Sequence, residues 1–233
     1  MTFDSVIDVG CGAGQMLDAC SKAGVKIIRG VDGSWVKPEV LLIPSECFSQ
    51  YDLTQPNLKA GIPETHFDLA ISSEVAEHID IDGEENFIDN LTSFSEVILF
   101  SAAVPGQAWF RKAALHHVNE QWPSYWIEKF AARGFVPVDC VRPKIWNDRE
   151  IPAWYRQNLL IFVKKDALHK YPNIESEAGR PVFDVVHPEL WSERTIPIRD
   201  MGSRILCRYI FTSMLYLVPA FMRAVKKRLF GCK

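Results

Sequence analysis

The sequence predicts an α/β fold, a doubly wound and mostly parallel sheet followed by a C-terminal helical tail, and three observations carry that prediction. Short, near-continuous apolar runs alternate with amphipathic stretches, the pattern of strands buried on both faces and helices covering them. A glycine-rich turn follows the first apolar run directly, as strand-to-helix loops in such sheets often do. The length of 233 residues, with 48% hydrophobic and 24% charged content, suffices for the core of one substantial domain.

The elements follow in order. "SVIDVG" reads as a buried strand and "GQMLDACSKAG" as a helix closed by Gly24. "VKIIRGVDGS" is a second strand ending at Asp32, and "HFDLAISSEV" a third, entered from a loop with Gly61 and Pro63. In "ENFIDNLTSF" the residues Phe87, Ile88, Leu91 and Phe94 recur at helical spacing, and "SEVILFSAAV" supplies a fourth strand. "SYWIEKFAARG" is a helix stopped by Gly134; "FVPVDCV" and "QNLLIFVKK" are two further strands. So little chain separates these last two that an antiparallel hairpin at the sheet edge is expected. The expected organisation is a domain over residues 1–166, an extended appendage rich in Pro and charge over 167–202, and a basic helix over 203–233.

Charge is distributed unevenly. Seven of the 26 basic residues lie after Asp200 and none of the 29 acidic ones does, so an acidic body ends in a basic tail. Such a body is poorly suited to bind nucleic acid, and no nucleic-acid partner is expected. The six cysteines include no CxxC pair and no signal peptide precedes them, which points to reduced thiols in the cytoplasm and to no metal site.

The turn "VIDVGCGAGQML" narrows the ligand. A dinucleotide fingerprint requires GxGxxG; here Gly10 and Gly12 fit, but Gln15 stands third and the glycine comes one residue early, at Gly14. Asp8, two residues before the first glycine, places a carboxylate at the strand end, where it would attract a cation rather than a pyrophosphate.

With that acidic residue, "DVGCGAG" resembles motif I of the class I S-adenosylmethionine-dependent methyltransferases, acidic-x-Gly-x-Gly-x-Gly, and the resemblance extends over roughly Ser5 to Val163. It implies a Rossmann-like fold and S-adenosyl-L-methionine as cofactor, with Asp8, Gly10, Gly12, Gly14, Gln15 and Ser73 near it. Asp32 would accept the ribose hydroxyls, and Gly33 would leave room for adenine. "YDLT" resembles the family's third motif, in which Asp52 would accept from the adenine amino group and the Leu53 amide would meet a ring nitrogen. "FDLAISSEVAEHI" resembles the fourth-strand motif of small-molecule methyltransferases, with Glu77 and His78 as its Glu-His pair. The family usually carries a helix or more ahead of its first strand. Here the chain starts four residues before that strand, so either later segments supply the cover or the start is internal.

Methyl transfer is an in-line displacement at a sulfonium, which asks the enzyme for alignment and exclusion of water. A hydroxyl acceptor also profits from a general base. "AALHHVNEQWPSYW" follows the fourth of the strands read above and is expected over the carboxyl ends of the strands; His117 is the first candidate base and His78 the second. Asn119 and Gln121 would read hydroxyls while Trp122 and Tyr125 wall the acceptor. Trp154 and Arg156, from "KIWNDREIPAWYRQN", are expected in a second wall, although edge-strand packing accounts for that cluster nearly as well. A polar, hydroxylated small molecule or glycan is the expected acceptor; a methyltransferase-like module that binds without transferring is the alternative.

The tail repeats apolar residues at Leu206, Ile210, Met214, Leu217, Phe221, Val225 and Leu229, with Arg223, Lys226, Lys227 and Arg228 clustered near its end. Its uncharged run is shorter than the roughly 20 residues a spanning helix needs. Attachment to the inner face of a membrane is therefore expected, with packing on the domain or on a second subunit as the alternative.

Overall fold

The computed structural model describes residues 3–107 and 116–194, together with Ser203 and Cys207. The chain divides into two compact units, Met1–Leu190 and Trp191–Lys233. The expected amphipathic tail falls outside the described residues except at Ser203 and Cys207, both helical. Among the described residues no helix is long and apolar enough to cross a membrane.

Seven strands form one sheet: β1 (Ser5–Val9), β2 (Ile27–Asp32), β3 (Phe48–Gln50), β4 (Leu69–Ser73), β5 (Val97–Ser101), β6 (Phe135–Val138) and β7 (Leu160–Lys164). Their order is β3-β2-β1-β4-β5-β7-β6. Strands β1 to β5 run parallel, whereas β7 pairs antiparallel with both β5 and β6. The expected hairpin is present, with β7 inside and β6 at the edge. Strand β3, three residues long, is too short for hydrophobic alternation to reveal it in sequence.

Side chains alternate across the sheet and divide the core in two. Ile7, Val9, Ala70, Ile98, Phe100 and Phe162 face Phe87, Ile88, Leu91 and Phe94 of helix α2 (Ile81–Phe94) and Trp126 and Phe130 of α3 (Pro123–Ala131). Val6, Leu69, Ile71, Val97 and Val163 point the other way, toward Leu17 of α1 (Gln15–Lys22). This period of two along each strand explains the near-continuous apolar runs, because both faces are covered. Each fully buried Leu or Phe contributes about 1.5–3 kcal/mol relative to exposure. Gly24 and Gly134, just past α1 and α3, have φ of 99° and 81°, a left-handed conformation open to glycine that ends both helices.

Helices α4 (Arg142–Ile145) and α5 (Ala153–Asn158) lie between β6 and β7. The segment expected as an extended appendage contains the short helix α6 (Pro172–Glu175), and Ile174 is buried in the α1-side core.

In this order the chain leaves β1 toward β2 and later returns on the other side to β4. The crevice beyond the carboxyl ends of β1 and β4 is the switch point where doubly wound sheets bind ligands.

Candidate active site

The loop after β1 is built for close approach. Gly10, Gly12 and Gly14 have φ of 90°, 53° and 85°, and each does a different job. A Cβ on Gly10 would stand 2.3 Å from a methyl of Val75, so this glycine lets the loop pack under the turn after β4. Gly14 precedes α1 as its left-handed N-cap and lies against Ile43. Gly12 alone faces open space, with only the Gln15 side chain within 4 Å of its missing Cβ. Its backbone is the part of the loop that a ligand can approach.

Two carboxyls flank the loop. Asp32 is 5% exposed and accepts the Gly12 N–H on Oδ2 and the Gly33 N–H on Oδ1, each at 2.7 Å. One lone pair on each oxygen remains for a hydroxyl donor. Asp8 is also buried, and burial together with the charge of Asp32 pushes its carboxyl up to about 7. A buried carboxyl held that high gains most from a cation placed beside it.

Beyond Asp32, a cleft of about 450 Å³ is lined by Gly33, Ser34, Trp35, Gln50, Tyr51, Asp52 and Gln55. The space expected beside Gly33 for adenine holds the Trp35 indole instead: a Cβ on Gly33 would fall 2.2 Å from that ring. Asp52 closes an Asx turn, its Oδ1 accepting the Thr54 N–H at 3.0 Å and the Thr54 hydroxyl at 2.7 Å. Those bonds hold its carboxyl below the usual range. Leu53 is buried in the core, and Ser73 shares a hydroxyl–hydroxyl contact of 3.0 Å with Ser101.

At the end of β4 the backbone of Glu74 adopts φ 55°, uncommon for a residue with a side chain and a mark of local strain at functional turns. Its carboxylate accepts from Gln107 at 2.7 Å and from Asn158 at 3.1 Å. One turn on, the Glu77 carbonyl accepts the amides of Val118 and Asn119 at 2.8 and 3.0 Å, which brings the loop carrying His117 over this strand end. The His78 and His117 rings meet edge to face, 4.7 Å between centroids. His117 Nδ1 lies 2.8 Å from Glu120, and His78 Nδ1 lies 3.2 Å from the carbonyl of His116. Burial lowers His78 below the usual histidine range.

A second, larger cleft of about 660 Å³ is lined by Thr54, Gln55, Asp80, Ile81, Asp82, Gly83, Asn86, Val118, Asn119 and Gln121. It shares Gln55 with the cleft beside Asp32.

Most of the other expected acceptor residues make contacts within the protein. Asn119 is 4% exposed; it donates to Glu84 at 2.6 Å and accepts from Gln121 at 3.0 Å. The Tyr125 hydroxyl donates to the same Glu84 at 2.7 Å. Trp122, partly exposed, caps α3, and Trp154 tilts against Tyr155. Arg156 is buried and donates to the Trp146 carbonyl at 3.1 Å and to Glu189 at 2.5 Å. Its guanidinium braces α5, so the edge-packing account fits it better than an acceptor wall. Glu84, not among the expected site residues, lies in the first turn of α2, three, four and seven residues before Phe87, Ile88 and Leu91, and that helical spacing is the signal that places it on the buried face.

A seven-stranded sheet of this order, with a glycine loop and two carboxyls at its switch point, defines an α/β protein of the S-adenosylmethionine-dependent methyltransferase type. The chain belongs to the family described as methyltransferase domain, whose pattern it matches over residues 2–136. It is accordingly a methyltransferase, and its cofactor is S-adenosylmethionine. The open Gly12 backbone and the paired Asp8 and Asp32 carboxyls fit a ligand that carries both hydroxyls and positive charge.

Among solved structures, the methyltransferase domain of bacterial CtHen1-C is similar at 19% identity and a TM-score of 0.49, over 70% of this chain and 90% of that one. A SAM-dependent methyltransferase from Archaeoglobus fulgidus is similar at 18% identity and TM-score 0.47, over 56% and 60%. An O-methyltransferase family protein from Burkholderia thailandensis is similar at 14% identity and TM-score 0.48, over 70% and 51%. No curated protein matches by sequence.

Proposed function

We propose that the protein transfers the methyl group to a hydroxyl of a small, polyhydroxylated molecule or glycan. The observation that carries this reading is the pair of clefts that share Gln55, one beside Asp32 and one in which polar side chains predominate, with Ile81 and Val118 among them. Thr54, Gln55, Asn86 and Gln121 offer donors and acceptors suited to hydroxyls. Asp80 and Asp82 on its wall disfavour polyanions, which argues against a nucleic-acid backbone.

On this reading the cofactor supplies an electrophilic methyl group, and the chain supplies alignment. Asp8 faces the positive charge, the backbone at Gly10, Gly12, Gly14 and Gln15 receives the amino-acid end, and Asp32 takes the ribose hydroxyls. Gly33, Asp52 and Leu53 flank the base, with Trp35 moving to make room, and Ser73 lines the path between. Gln121 orients the acceptor, and Trp122 flanks its entrance. His117 and His78 are the groups that act on the acceptor oxygen. Through its basic C-terminal tail the protein attaches to the inner face of a membrane, an extension of the same reading.

Labelled S-adenosylmethionine offered with monosaccharides, oligosaccharides, catechols, phenolic lipids and a small RNA tests the acceptor. Label in a sugar or other polyol, reduced at least tenfold by Gln121→Ala, supports the reading; label in the RNA alone, or in an aliphatic lipid alone, overturns it.

A further inference from the structure

The strand end that carries His78 holds a feature that methyl transfer alone does not require. One carboxylate oxygen of Glu77 and one ring nitrogen each of His78 and His117 lie within 4.8 Å of one another. We propose that Glu77, His78 and His117 bind a divalent transition-metal ion that holds the acceptor hydroxyl against the methyl donor.

Three observations support it, the first being the tautomers. The His116 carbonyl can only accept, so the Nδ1 facing it at 3.2 Å carries the proton of His78. Likewise the Glu120 carboxylate at 2.8 Å takes the Nδ1 proton of His117. That leaves Nε2 of each ring as the nitrogen a metal would take, and a carboxylate or carbonyl behind each imidazole is the arrangement that orients metal-ligating histidines. Glu120 is itself fixed by the Gly106 amide at 2.5 Å.

The second observation is Glu77. It is 1% exposed, and its Oε2 has no hydrogen-bond partner among the described residues. A buried carboxylate oxygen left in that state is costly, and a cation between it and the two imidazoles removes the cost.

The third is charge. Glu74 stands three residues before Glu77 at the same strand end and Glu120 lies behind His117 at 2.8 Å, so acidic side chains gather where a cation would sit. A metal at about 2.1 Å from each ligand needs ligand separations of about 3–3.5 Å, which small side-chain rotations provide.

Two imidazoles and one carboxylate with open positions suit Mn²⁺, Fe²⁺, Co²⁺ or Zn²⁺ rather than an all-oxygen Ca²⁺ cage. The acceptor would occupy an open position, and a coordinated hydroxyl is more acidic than a free one. The acceptor loses its proton to water and its oxygen bonds to the methyl carbon as the sulfur–carbon bond breaks, leaving methyl ether and neutral thioether. This role rests on the function proposed above; the binding of metal does not.

Mn²⁺ is the appropriate probe, because the thiols of Cys11, Cys20, Cys47, Cys140 and Cys207 compete poorly for it. Full-length protein stripped with a chelator should bind one equivalent by calorimetry and by loss of the free-ion electron paramagnetic resonance signal. His117→Gln, His78→Gln and Glu77→Gln should each weaken binding at least tenfold, with S-adenosylhomocysteine affinity within threefold of wild type and circular dichroism unchanged. Glu128→Gln serves as control. The proposal is overturned if wild-type protein binds no stoichiometric Mn²⁺, Co²⁺ or Zn²⁺, or if the three folded variants bind as wild type does. Metal binding without any affinity for S-adenosylhomocysteine would instead sink the proposed function and leave the metal site standing.

Discussion

Asp32 Oδ2 accepts the Gly12 N–H at 2.7 Å, so the end of β2 latches the glycine loop that follows β1. The same carboxylate holds the Gly33 amide. One side chain thus shapes both walls of the crevice at the switch point.

Asp32→Ala should therefore do more than remove a ribose contact. Hydrogen bonds to a charged group are worth about 1.5–3 kcal/mol, and S-adenosylhomocysteine affinity should fall by at least tenfold in calorimetry. Asp32→Asn, which retains one acceptor, should fall between. Wild-type affinity in both variants would remove Asp32 from the site.

Cofactor affinity should rise with pH. The Asp8 carboxyl, raised to about 7 by burial and by Asp32, is half protonated near neutrality in the free protein. The groups whose charge it feels or affects are Asp32 and the Cys11 and Cys20 thiols, both of which burial keeps protonated. A bound cation favours the ionised form, so affinity increases as pH rises through 7, and binding releases a proton. Calorimetry in buffers of different ionisation heat should show that release in wild type and not in Asp8→Asn.

The same shift acts on stability in the opposite sense. A carboxyl raised in the folded state favours folding fully below its unfolded value of 3.8 and loses that contribution as pH climbs through about 7. Asp8→Asn should accordingly raise the Tm at pH 8 and leave it nearly unchanged at pH 4. Equal shifts at both pH values would exclude the linkage.

Gly10→Ala should destabilise the domain by about 1–3 kcal/mol, since the new methyl meets Val75 in a left-handed backbone. Adding Val75→Ala should recover the steric part and not the backbone part. Urea denaturation of the two variants separates them.

Glu84→Ala removes a buried carboxylate that accepts from Asn119 and Tyr125 and pairs with Lys129 at 2.7 Å. A loss of about 3 kcal/mol is expected, in line with leaving buried partners unpaired. The acceptor KM should rise more than the cofactor KM, because Asn119 and Gln121 belong to the polar cleft.

Most of the sheet, both glycine-stopped helices and the motif I loop are legible in the sequence, because these depend on local regularities. Near-continuous apolar runs, apolar residues at helical spacing and glycines that tolerate positive φ are all visible over a dozen residues. Asp8 and Asp32 were legible for the same reason, each ending an apolar run. The fold decided what depends on partners far apart in the chain. Arg156 reads in sequence as a binding residue or, nearly as well, as edge packing, and only the fold shows it to be an internal brace, since a charge is buried or exposed according to what faces it. Likewise Glu77 and His117 stand forty residues apart, in a chain with no ligand spacing to announce them. Their meeting follows from the pairing of β4 with β5, which sets two loops side by side at one end of the sheet.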